Sequence, residues 1–252
     1  MTASKNLQKT GQKKPLNLKK DEVKTPLYSI IIPTYNESKN IKRLVFTLRK
    51  LYPEAETVVV DDNSPDGTAK IVSKIAEKDQ LIRLVKRKGK LGLSSAIIDG
   101  VKSASTPFFV VCDADFSHPP QKIGILIKHV LGGEDIVIGS RYCKGGEIIN
   151  WPFTRRWVSL LATLMARMKL FTLKKPFKTT DPMSGFFASK KEILTQNRYL
   201  IEPKGYKILF DLLKGYNGRN ITEIPYIFQN RSKGKSKLSA KEIMLFAKTS
   251  VK

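Results

Sequence analysis

Leu27-Tyr28-Ser29-Ile30-Ile31-Ile32-Pro33 is short, apolar and rich in β-branched residues, the pattern of a strand buried on both faces, and Pro33 is expected to end it. Ile41, Leu44, Val45, Leu48 and Leu51 then recur at helical spacing until Pro53 stops them. The same alternation repeats outward. Thr57-Val58-Val59-Val60 is a second buried strand, followed by the turn-rich Asp61-Asp62-Asn63-Ser64-Pro65-Asp66-Gly67 and a helix carrying Ile71, Val72 and Ile75. Leu81 to Val85, Phe108 to Cys112 and Asp135 to Ile138 read as three further strands, with helices over residues 94–103 and 120–131 between them. Strands separated by helices predict an α/β fold built on a doubly wound, mostly parallel sheet.

After Gly146 the alternation ends. Residues 155–171 have the pattern of an amphipathic helix, with Trp157, Leu161, Leu164, Met165 and Met168 on one face and Arg155, Arg156, Arg167 and Lys169 elsewhere. Such a face belongs either to ordinary core or to a helix lying on anionic lipid. Short helices follow near 190–196 and 206–213, then a strand at Ile221 to Phe228, a basic loop at Arg231 to Lys237 and a final helix from Ser239. Residues 1–24 carry seven lysines against Asp21 and Glu22 and have few large apolar residues, so they read as a flexible basic tail ahead of one domain at 25–252.

The 252 residues suffice to bury a core without disulfides, and 41% hydrophobic residues exclude disorder of the whole chain. Two cysteines suit a reducing compartment. No run approaches the roughly 18 apolar residues of a membrane span. Lys and Arg total 46 against 22 Asp and Glu, a formal net charge of +24, which points to an anionic partner: a phosphorylated substrate, a membrane surface or nucleic acid.

In doubly wound sheets ligands bind beyond the carboxyl ends of the strands. The segments placed there are Pro33 to Glu37, Asp61 to Asp66, Asp113 to His118 and Gly139 to Tyr142. Asp113 and Asp115 follow a buried strand, and in extended chain residues i and i+2 point the same way. Their carboxylates repel unless a cation lies between them, and a hard divalent ion completed by substrate phosphates is the usual solution; taken alone the pair reads rather as a solvated turn in which Asp115 caps the following helix. Glu37 and Asp62 add acid at the same sheet edge of a basic protein, whereas Asp66 reads as a cap for the following helix. His118, ahead of two prolines, reads as a turn residue, and Cys112 as core.

Four segments carry a resemblance in combination: Ile32-Pro33-Thr34-Tyr35-Asn36-Glu37, Val60-Asp61-Asp62-Asn63-Ser64-Pro65-Asp66-Gly67-Thr68, Asp113-Ala114-Asp115-Phe116-Ser117-His118-Pro119-Pro120 and Gly139-Ser140-Arg141-Tyr142. Together they resemble the polyprenyl (dolichyl) phosphate mannosyltransferases, inverting family 2 glycosyltransferases with the GT-A (nucleotide-diphospho-sugar transferase) fold. Asp181-Pro182-Met183-Ser184-Gly185-Phe186 and Arg231-x-x-Gly234-x-Ser236-Lys237-Leu238 look like that family's later motifs.

The resemblance implies a doubly wound sheet with C-terminal interfacial helices, a nucleotide-sugar donor, typically GDP-mannose, and transfer of mannose to a dolichyl or polyprenyl phosphate for glycosylation. It places Pro33, Tyr35, Glu37, Val60 and Asp62 at the nucleoside, and Asp113 and Asp115 on Mg²⁺ or Mn²⁺ at the diphosphate with the Ala114 backbone alongside. Ser117 stands where relatives often carry Gln as a further metal ligand, and serine reaches less far. Arg141, Arg231 and Lys237 are expected on phosphate, Lys207 near the donor, and Asp113, Asp115 and Arg141 form the catalytic set. The implied location is the cytoplasmic face of a membrane, with peripheral attachment to anionic lipid or a membrane-anchoring partner. A glucosyltransferase using UDP-glucose, or another family 2 enzyme, is the nearest alternative. A basic nucleic-acid-binding protein is a distant one, opposed by the acids gathered at the expected crevice and the lack of a nucleic-acid motif.

Overall fold

A computed structural model of the protein describes residues 25–203 and 205–229; the expected basic tail, the loop at Arg231 to Lys237 and the final helix lie outside them. The chain runs β1 (Tyr28–Thr34), α1 (Ile41–Leu51), β2 (Glu56–Asp61), α2 (Thr68–Ala76), β3 (Ile82–Lys86), α3 (Leu93–Ser103) and β4 (Phe108–Val111). Then come α4 (Ile123–Leu131), β5 (Ile136–Ser140), β6 (Glu147–Ile148), α5 (Phe153–Thr172), β7 (Phe187–Lys190), α6 (Lys191–Asn197), α7 (Ile208–Gly215), β8 (Ile221–Pro225) and β9 (Ile227–Phe228).

Seven strands form one sheet in the order β3-β2-β1-β4-β7-β5-β8, and β6 pairs with β9 apart from it. All neighbours in the large sheet are parallel except β7, which runs antiparallel to both β4 and β5. The order reverses between β1 and β4, so the carboxyl ends of these two strands flank the crevice where such sheets take ligands.

Alternation along the strands divides the core into two layers. Ile30 and Ile32 face one way, with Leu44, Leu48, Ile123 and Leu126 of α1 and α4; Ile31 and Val60 face the other, with Ile97 and Val101 of α3. Helix α3 lies so close to the sheet that a β-carbon on Gly100 would sit 2.6 Å from Ile31 Cγ2 and 2.8 Å from Val60 Cγ2. Glycine is the residue that permits this approach.

Three expectations need correcting. Pro33 does not end β1, which continues to Thr34 with Pro33 opposite Val60. The pairing of β1 with β4 stops at Ile31 opposite Val111, so beyond it β1 has a strand neighbour on one side only, a position that tolerates proline. The strand expected over Ile221 to Phe228 is two strands, β8 on β5 and β9 on β6, separated by the buried Tyr226 after Pro225. The core reading of the apolar face of α5 also fails. Only Thr163, Ala166 and Leu170 of that helix are buried, while Trp157, Leu161, Leu164, Met165 and Met168 stand exposed.

Candidate active site

A cleft of about 590 Å³ opens at the carboxyl ends of β1, β2 and β4 and is lined by Pro33, Tyr35, Glu37, Asp62, Asp113, Ala114, Asp115, Ser117 and Arg141. All nine were expected at the site from sequence. Asn36 adopts a left-handed backbone at φ 56°, and its N–H donates to Ser64 Oγ, which ties the turn after β1 to the turn after β2. Glu37 is buried and accepts from the Asn40 amide at 2.9 Å, while its own N–H donates to Thr68 Oγ1. Asp66 is not the N-cap expected of it: that position is Gly67, and Asp66, one residue earlier, accepts from the Thr68 N–H at the start of α2.

Asp62 is clamped rather than open. Arg87 Nη1 reaches Asp62 Oδ1 at 2.6 Å, Arg87 also donates to Ser95 Oγ, and the Gly92 N–H approaches Asp62 Oδ2 at 3.3 Å. Burial pushes the Asp62 carboxyl above the usual carboxylate range, against the opposing pull of Arg87 and the Gly92 N–H. Lys90 of the same loop lies over the Tyr35 ring at 5.0 Å and lines the cleft with Gly92 and Leu93.

The carboxylate pair reaches the cleft by a route different from the expected one. Strand β4 ends at Val111, so both lie beyond it, Asp113 in irregular chain and Asp115 in a turn. Phe116 takes φ 64°, uncommon for so bulky a side chain, and the Ser117 N–H folds back onto Asp115 Oδ1 at 3.0 Å. Arg43 packs over the Phe116 ring at 4.8 Å. Asp113 and Asp115 both line the cleft. No further His, Cys, Asp or Glu joins them in a group of three or more able to hold a metal among the described residues. That donor set suits a hard dication whose shell is completed by substrate oxygens, and not a closed structural site. Ser117 lines the cleft beside the pair, with its backbone already committed to Asp115.

Arg141, also in the lining, follows β5. Its Nε and Nη2 each donate at 2.8 Å to the fully buried Asp181, whose carboxylate also accepts the Arg141 N–H. Burial works against this charge, but Asp181 outweighs it, so the guanidinium is held above its ordinary range. The Asp181 turn is itself anchored: Glu223 of β8 accepts from Thr179 Oγ1, Thr180 Oγ1 and the N–H groups of Thr180 and Asp181. A surface ion pair is thereby excluded for Arg141, which presents a fixed cation to the cleft.

Val60 and Lys207 are not brought to the cleft. The Val60 side chain is fully buried under α3, because the period of β2 turns it to that layer. Lys207 precedes α7 with its ammonium 5.3 Å from the Phe210 ring, and burial lowers its pKa. Arg231 and Lys237 lie outside the described residues. Beyond the nine expected site residues the lining includes Thr34, Lys90, Gly92, Leu93, Ala96, His118, Trp151, Arg155, Gly185, Tyr206 and Phe228. Most come from segments far apart in the chain. Arg155 stacks on Trp151 at 4.1 Å, which joins the cleft to the first turn of α5.

A doubly wound, mostly parallel sheet with one antiparallel strand and a carboxylate pair beyond the switch point is the architecture of the GT-A fold. Residues 29–197 match the family described as glycosyl transferase family 2, and the chain belongs to it: it is a glycosyltransferase. A dolichol-phosphate mannosyltransferase of Pyrococcus furiosus is 41% identical over 217 residues, covering 85% of this chain and 60% of that protein. The protein of the same description from Saccharomyces cerevisiae is 36% identical over 231 residues, covering 87% of this chain and 84% of its own length. The fold is shared with glucosyl-3-phosphoglycerate synthase of Mycobacterium tuberculosis, solved with Mn²⁺, uridine diphosphate and glucosyl-3-phosphoglycerate. That match has a TM-score of 0.62 at 21% identity and covers 90% of this chain and 77% of that one.

Proposed function

We propose that the protein transfers mannose from GDP-mannose to a dolichyl or related polyprenyl phosphate, with inversion, while attached peripherally to the cytoplasmic face of a membrane. The observation that carries this reading is the cleft itself. It is lined by Glu37, Asp62, Asp113 and Asp115 together with Arg141, and by Arg155 of a helix whose apolar side chains are exposed. The similarity to named dolichol-phosphate mannosyltransferases across most of the chain supports it.

Tyr35, Glu37 and Asp62 are assigned to the nucleoside, Asp113 and Asp115 to Mg²⁺ or Mn²⁺, and Arg141 to phosphate. The chemistry that such an ion supplies when bound is neutralisation of charge on the diphosphate. Arg141, held by Asp181, offers a preorganised cation to the same oxygens and costs no reorganisation when charge develops there. An acceptor phosphate monoester has a second pKa of about 6 and is largely dianionic near neutral pH, so the protein need not supply a strong base. In-line attack of an acceptor phosphate oxygen on the anomeric carbon breaks its bond to the diphosphate, releases GDP and converts the α-linked donor into a β-linked lipid-phosphate sugar. A panel offering GDP-mannose and UDP-glucose with a polyprenyl phosphate tests the assignment. Mannolipid from GDP-mannose is expected, and turnover with UDP-glucose alone would replace the proposal by the glucosyl reading.

No helix among the described residues is long and apolar enough to cross a membrane. Helix α5 supplies a surface that can lie on one: Phe153 is 73% exposed, Met168 60% and Phe171 84%, with Arg155, Arg156, Arg167 and Lys169 on the same helix. Apolar insertion and attraction of the basic residues to anionic headgroups act together. Met168→Glu with Phe171→Glu is expected to weaken binding to phosphatidylserine-containing vesicles by roughly 10-fold or more, since each side chain gives up on the order of 1 kcal/mol of burial. Binding of the parent is expected to fall steeply with salt. Sedimentation with vesicles measures both, and unchanged binding by the double variant would remove α5 from the membrane contact.

A further inference from the structure

His118 does more than turn the chain ahead of Pro119 and Pro120. Its ring is 2% exposed and lines the cleft. Both ring nitrogens face one residue: Nδ1 accepts the Asp113 N–H at 3.0 Å, and Nε2 lies 3.7 Å from Asp113 Oδ2. A ring that accepts at Nδ1 carries its proton on Nε2, the edge turned to the carboxylate. The ring itself is held on several sides. It stacks on Phe186 at 5.0 Å and meets Tyr226 and Phe228 edge-on at 5.8 and 6.2 Å. Asp113 is the more open of the two carboxylates, with its side chain 39% exposed whereas Asp115 is 6% exposed, so its aim depends more on what grips it.

We infer that His118 is a positioning residue for Asp113, holding its backbone through Nδ1 with Nε2 turned toward the carboxylate, and thereby setting the affinity of the cleft for a divalent cation. The inference rests on the cation reading of Asp113 and Asp115. Groups one step removed from a metal commonly act in this way, and their loss typically weakens metal binding by about 10- to 100-fold.

The test is Mn²⁺ binding, read by electron paramagnetic resonance in the presence of GDP, for the parent, His118→Phe, His118→Asn and Asp115→Ala. His118→Phe keeps the ring stack but leaves the Asp113 N–H without its acceptor, and is expected to bind Mn²⁺ about 10- to 100-fold more weakly. GDP binding measured without metal is expected to be unchanged. His118→Asn returns an acceptor near the Nδ1 position and is expected to recover most of the loss. If Asp115→Ala loses the ion and His118→Phe retains it, the role of His118 is overturned alone. Parent-like Mn²⁺ affinity in Asp115→Ala overturns the cation reading and this inference with it. Equal losses of Mn²⁺ and GDP in His118→Phe mark a merely structural role and also overturn it. A measurement on the parent stands whether or not the phenylalanine variant folds: ¹⁵N shifts of His118 are expected to show a protonated Nε2 and a bare Nδ1, and the opposite tautomer would refute the contact.

Discussion

Asp115→Ala is expected to reduce sugar transfer by on the order of a thousandfold, because a carboxylate at a metal-assisted leaving group carries several kcal/mol of the transition-state stabilisation. The fold is expected to survive. Asp115 is buried and accepts the Ser117 N–H at 3.0 Å, and losing that acceptor costs about 1 to 3 kcal/mol. Asp115→Asn separates the two roles: its side-chain oxygen still accepts from Ser117, while the charge that would hold the cation is gone. Both variants should therefore be inactive, with only the alanine variant measurably less stable. Initial rates with and without chelator, alongside thermal melts, check this. Turnover equal to that of a chelator-sensitive parent would exclude Asp115 from the metal site.

How far the sequence could be read depended on the range of the forces involved. The strand-helix alternation was visible because buried strands and amphipathic helices carry their own periods, and the residues just past each strand were recognisable because the sheet dictates where they emerge. Pro33, Tyr35, Glu37, Asp62 and the Asp113-Asp115 pair were found that way. Strand β7 escaped because four residues, Phe187–Lys190, hold too little pattern to declare a strand, still less an antiparallel one. The face of α5 was legible as amphipathic, but periodicity fixes only the direction of the apolar side relative to its helix and not what lies beyond it. Val60 carried a usable signal: Val58 and Val60 share a face of β2, and that face is core. Arg87 on Asp62, Asp181 on Arg141 and His118 on Asp113 are pairings that tertiary structure or a single turn creates, and no spacing rule predicts them.

Asp181→Ala is expected to be the most damaging single change to stability. It removes a fully buried carboxylate that accepts three hydrogen bonds from Arg141, and it leaves a guanidinium with only 10% side-chain exposure and no counter-charge in its place. Breaking a buried pair from one side costs about 3 to 5 kcal/mol. For a protein of this size each kcal/mol corresponds to roughly 2 to 4 °C, so the melting temperature should fall by roughly 6 to 20 °C. Activity should fall as well, because Arg141 loses the partner that aims it while Glu223 continues to hold the turn from behind. The two losses can be separated. Replacing both members, Asp181→Leu with Arg141→Met, removes the orphaned charge and should restore much of the stability, since apolar substitutes for a buried ion pair are often neutral. It should restore no activity, because the cation facing the cleft is gone. A double-mutant cycle on melting temperature and transfer rate measures the coupling directly. Asp181→Ala within 1 kcal/mol of the parent would show that this pair does not brace the fold, and a double variant that regains transfer would show that it does not serve the diphosphate.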